Sequence, residues 1–164
     1  MILPPAASDG LGVAILNSNA EAHFSFTNAL GMVSAEQTRR LALAIELFPG
    51  SHWIVAMHHH LIEYPMSMAA FSERVGTALI NGSWFVRKLR SLRSRAVVMH
   101  GHRHIDWIGA CGSLKIISAP SPVMGAKNEA ATHFHIHTLT LGSGNELCLL
   151  SPERVEIAGV DELD

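Results

Sequence analysis

Six of the eleven histidines fall in two short clusters, His58-His59-His60 and His100-Gly101-His102-Arg103-His104. Neutral imidazole suits Zn, Fe, Mn or Ni, and a site built from two or three histidines leaves coordination positions open for water and substrate. That is the requirement for metal-assisted hydrolysis. In an extended segment residues i and i+2 point to the same side. His102 and His104 are therefore expected to present two imidazoles in one direction, with Gly101 supplying the close approach and the tight turn. His135 and His137 also share a strand face, but no glycine turn accompanies them. They are not assigned as ligands, and His23, His52 and His133 are read as hydrogen-bonded surface or core histidines.

The elements that must position these clusters are legible as apolar runs. Trp53-Ile-Val-Ala-Met57 has strand length and delivers the first cluster at its C-terminal end; Ala96-Val-Val-Met99 does the same for the second. In open α/β sheets, the crevice beyond the carboxyl ends of strands is where ligands bind. Residues 12 to 17 form another buried strand ending at Asn17-Ser18-Asn19. Ser34 and Gln37 form a capping box for a helix whose Leu41, Ile45 and Phe48 recur at helical spacing until Pro49-Gly50 stops it. Helices are expected over 68–80 and 83–93, and strands over 105–109, 114–119, 132–141 and 146–150.

These residues carry a resemblance. Val55-Ala-Met-His58-His59, followed by Val98-Met-His-Gly-His102-Arg-His104, resembles the last two motifs of the calcineurin-like metallophosphoesterases. The order of strand, Asn17-Ser18, a Gly31 loop, Gln37 and helix is similar to the cyclic-nucleotide-phosphodiesterase-like branch, as is Ser118-Ala-Pro-Ser121 after the second cluster. The resemblance implies an α/β fold, the C-terminal half of a four-layer αββα sandwich. The Trp53 and Ala96 strands would lie in one sheet and the C-terminal strands mostly in the other. It implies that His58 and His102 bind one metal of a binuclear pair and His104 the other, as divalent or trivalent Mn, Fe or Zn. His59 would support the ligands, and Arg103 would face solvent or a substrate phosphate. The implied activity is hydrolysis of phosphomonoesters or phosphodiesters.

The chain also departs from that family. The motifs Asp-x-His, Gly-Asp-x-x-Asp and Gly-Asn-His-Asp/Glu are absent, and only Asp106 of the four aspartates lies near a histidine cluster. Asp106 is expected to orient His104 rather than bridge metals. The 164 residues are accordingly read as one partial domain, residues 1 to 164, whose missing N-terminal half is its first expected partner and which alone is close to inactive. The alternative is a non-catalytic metal-binding module, or a subunit completed by a separate half.

Composition limits the other classes. Hydrophobic residues make up 48% and charged residues 16%, with a mean hydropathy of +0.23, which fits a folded core with apolar surface to spare. A net charge of -2 gives no pull toward nucleic acid, and Arg87, Lys88, Arg90, Arg93 and Arg95 read as a solvated helix face. No apolar run reaches membrane-spanning length, and Cys111 and Cys148 stand outside any CxxC pattern. A soluble, cytoplasmic protein is expected.

Overall fold

The computed structural model describes residues 1–19, 30–62, 79–123 and 132–157. The chain is mixed α/β. Its main sheet has six strands: β1 (Ile2–Leu3), β2 (Leu11–Ile15), β3 (His52–Ala56), β4 (Ala96–His100), β5 (Trp107–Cys111) and β6 (Leu114–Ser118), in the spatial order β1-β2-β3-β4-β6-β5. β2, β3, β4 and β6 run parallel, and β1 and β5 close the two edges antiparallel. Two antiparallel ribbons complete the described strands. One pairs β7 (Thr132–Ile136) with β10 (Glu153–Ile157), the other β8 (Leu139–Leu141) with β9 (Leu147–Leu149).

The central strands read as continuous apolar runs because both of their faces are covered. On one face Ala14, Trp53, Val55, Val98 and Ile116 pack against helix α1 (Ala35–Leu47) and helix α2 (Gly82–Leu89) through Leu41, Phe85 and Leu89. On the other, Val97 and Ile117 meet Leu147, with Ile54, Met99, Leu139 and Leu149 packed around them. The β8–β9 ribbon therefore lies on the face opposite the helices.

Two expectations change here. β5 and β6 join the sheet that holds the histidine strands rather than a second one, because β6 continues the parallel ladder beside β4. The strand expected over 132–141 divides into β7 and β8, separated at His137 and Thr138. The helix expected over 68–80 lies outside the described residues except for Leu79 and Ile80, where Leu79 bridges Gly31. His23 also lies outside them.

Helix α1 starts as its capping signal requires: Ser34 Oγ accepts from the Gln37 backbone N–H at 3.2 Å. The reciprocal arm of the box goes elsewhere. The Gln37 carboxamide accepts from Asn17 N–H at 2.7 Å and donates to Asn17 C=O at 2.9 Å, tying the helix start to the chain just past β2. That link holds the Asn17-Ser18 segment, which reaches the histidines.

Candidate metal centre

β3 and β4 are parallel neighbours in register, Ala56 opposite Met99, so the chains leave the sheet side by side. Two more bonds extend the ladder past its end, Met57 N–H to Met99 C=O at 3.0 Å and Gly101 N–H to His58 C=O at 3.1 Å. The parallel pairing therefore delivers His58, His59 and His102 to one place. One ring nitrogen of each lies within 4.8 Å of the others. The ring centroids are 4.6–4.9 Å apart.

His58 Nε2 and His102 Nδ1 face each other at 2.7 Å. They share a hydrogen bond; two imidazoles on one ion at about 2.1 Å with tetrahedral angles hold their nitrogens about 3.4 Å apart, so the pair admits a cation by losing that proton and opening by about 0.7 Å. Burial, followed by the neighbouring His58, His104 and Arg103, holds His102 below the ordinary histidine range. At neutral pH it is the uncharged form, which has a lone pair to donate.

Ser18 decides the state of His59. Its buried hydroxyl oxygen accepts from the backbone N–H groups of His58 at 3.2 Å and His59 at 3.1 Å, and lies 3.0 Å from His59 Nδ1. Both lone pairs are used, so the hydroxyl proton goes to Nδ1. In the tautomer that accepts this bond, the His59 ring proton is on Nε2.

His104 is exposed and outside this group. Nor is its loop extended: His102 and His104 have φ of 68° and 54°, and Arg103 N–H bonds Gly101 C=O at 2.9 Å, turning the chain at His102. The left-handed residues are thus the histidines and not Gly101, whose added Cβ would meet nothing within 4 Å. Left-handed backbone costs a non-glycine residue about 1–2 kcal/mol and concentrates at functional sites. His104→Gly, which removes an exposed side chain, is expected to raise stability by about 1 kcal/mol. A urea midpoint unchanged or lowered would remove the argument that this loop is strained.

Arg103 is half-buried, and its charge reaches inward to His60 instead of facing only solvent. His52 has an ordinary role, its Nε2 2.8 Å from Asn145 C=O. Asp106 does not orient His104; it faces His133 at 3.3 Å and His135 at 3.5 Å. These three form the other group of possible ligands among the described residues, the one that contains a carboxylate. The sequence signal for it is the alternation of His133, His135 and His137, of which the first is expected as an ordinary hydrogen-bonded residue and the other two are not assigned as ligands. Its link to Asp106 is a tertiary contact.

Among the described residues, no helix is long and apolar enough to cross a membrane. No family model matches the sequence, and no curated protein matches it significantly. Among solved structures, the chain is similar to a putative 5'-nucleotidase from Staphylococcus aureus in complex with alpha-ketoglutarate, at a TM-score of 0.48 and 11% identity. That match covers 95% of this chain and 29% of the other. A second similar structure is a single mutant of Vps29 from Entamoeba histolytica, at a TM-score of 0.28 and 11% identity, over 88% of this chain and 98% of that one. The chain thus spans under a third of the nucleotidase, and at these scores the chemistry rests on the chain's own histidines.

Proposed function

We propose that the chain supplies the histidine half of a metal-dependent phosphoesterase, acting on phosphomonoesters or phosphodiesters. One observation carries this reading: two adjacent parallel strands end by bringing His58, His59 and His102 together, in the order of the motifs they resemble. The donor set fits one cation, held by His58 Nε2 and His102 Nδ1. It does not by itself fit a pair, because among the described residues no carboxylate belongs to this group and His104 stands outside it. The second ion, with His104 as its ligand, is assigned to the completed site.

A bound cation supplies Lewis-acid polarisation and a more acidic water. The chain's own residues do the rest. Ser18 fixes the His59 ring so that Nε2–H can donate to an anionic oxygen, and Arg103 adds positive charge beside His60. Bare apolar surface supports a missing layer, the other half of an αββα sandwich. On β1 and β2, Leu3, Leu11 and Ile15 are exposed on the side away from the helices.

The purified 164-residue chain is expected to show no manganese-dependent turnover of bis(p-nitrophenyl) phosphate. Turnover that disappears in His102→Ala would overturn the half-site reading. A longer protein from the same reading frame, carrying Asp-x-His and Gly-Asn-His-Asp, is expected to turn over and to lose activity with His102→Ala. The missing carboxylate also favours a second reading, a metal-binding module without catalysis, and a frame that lacks those motifs would select it.

A further inference from the structure

β7 is inside out. Phe134 and Ile136 are 41% and 48% exposed, while His133 on the other face is 7% exposed. A ribbon normally turns its apolar face inward, and slipping the register by one residue would do so here. The observed register instead pairs His133 with Glu156 and His135 with Arg154, two exposed partners, so this face is covered on its β7 side alone. Turning imidazoles inward at the expense of a phenyl and a butyl side chain needs a compensating interaction for their nitrogens.

Asp106 provides one. Its carboxylate, from the loop before β5, has Oδ2 3.3 Å from His133 Nε2 and Oδ1 3.5 Å from His135 Nδ1. The His133 contact is a hydrogen bond, longer than the about 2.7–2.9 Å usual for charge-assisted ones. One donor atom from each of Asp106, His133 and His135 lies within 4.8 Å of the others, and a small inward movement of each would bring all three to about 2.1 Å from one ion. The His133 and His135 rings are 5.3 Å apart, and His137 follows with its ring 5.8 Å from that of His135. Glu156 across the ribbon is held by Arg154 at 3.5 Å.

We propose that Asp106, His133 and His135 form a second metal site, distinct from the His58–His102 pair, for a divalent transition-metal ion of the zinc or iron class. Two neutral imidazoles and one carboxylate make a borderline donor set that prefers such ions to calcium or magnesium. Three protein ligands leave at least one position open, toward which His137 is the next donor in the row. The site joins the β7–β10 ribbon to the loop that follows the second histidine cluster.

The test isolates this site by removing the other. In a His58→Ala/His102→Ala double variant, zinc titration by calorimetry is expected to retain one saturable equivalent, and cobalt is expected to give a ligand-field absorption band. Adding Asp106→Asn should weaken that equivalent at least tenfold and bleach the band. Asp106 is exposed, so this change spares the core, and circular dichroism verifies the fold. His135→Gln is the second variant and should act alike. No saturable equivalent in the double variant, or one that survives both changes, would overturn the site. Neither result bears on turnover at His58 and His102.

Discussion

Acidification from pH 7 to pH 5 is expected to cost the protein several kcal/mol of stability, because His60 and His100 are buried uncharged. His60 is fully buried and held at about 4, first by burial and then by the positive Arg103 and by His102. His100, 4% exposed, is also held at about 4 by burial; a hydrogen bond involving the Gly101 backbone pulls the other way, and His60 opposes a second charge beside it. Their ring centroids are 6.4 Å apart, so protonating one makes protonating the other harder. The ordinary value is 6.5, so the unfolded chain binds protons that the native state refuses. Stability is full above about pH 6.5 and falls as pH drops toward about 4, at roughly 1.4 kcal/mol per pH unit for each histidine. Against a total of about 5–15 kcal/mol, that is a large share. Surface pairing does not mimic it. Glu36, held at about 2 by Arg39 and Arg40, stays ionised throughout this window. Urea denaturation at pH 7, 6 and 5 measures the slope, and His100→Gln should remove about one proton's share. A midpoint independent of pH over that range would contradict the buried, uncharged pair.

Much of this arrangement is readable from residue order, because its signals are local. The β3 and β4 runs, the Ser34 cap and the stop after Phe48 each depend on neighbours within a few positions. What escaped depends on distant ones. β10 reads Glu-Arg-Val-Glu-Ile, too polar to announce a strand, and is held by its ladder with β7. β1 is two residues long and exists because Ile2 and Leu3 pair with Ala14 and Val13. The same holds at the chemistry. That His58 and His59 follow one strand and His102 another was legible; that Ser18 takes both backbone N–H groups and sets the His59 proton was not. The His102–His104 spacing suggested extended chain, yet both adopt left-handed backbone, a choice that histidine tolerates better than most residues. Asp106 stands two residues after His104 yet faces two histidines that lie a ribbon away.

Gly31→Ala is expected to do far more damage than Gly101→Ala, although Gly101 sits inside the histidine motif and Gly31 lies in a loop. A Cβ on Gly31 would stand 2.3 Å from His59 Cγ and 2.6 Å from Nδ1, well inside contact distance. Relief requires one partner to move, and both are pinned. The Gly31 segment is held by Ile80 N–H on its own carbonyl and by Met32 N–H on Ser18 C=O, each at 2.8 Å. The His59 ring is buried and bonded to Ser18, whose oxygen also carries the His58 and His59 backbone N–H groups. Displacing the ring therefore unsettles Ser18 and the backbone that presents His58. The expected loss is about 3 kcal/mol, typical of an overpacked site that cannot relax. At Gly101 an added Cβ meets nothing within 4 Å and φ is not positive, so Gly101→Ala should stay within about 0.5 kcal/mol of the parent. Zinc uptake by the His58–His102 pair should follow the same order, lost in Gly31→Ala and kept in Gly101→Ala. Equal losses of urea stability in the two variants would show that the motif glycine, and not the wedge of Gly31 against His59, shapes this centre.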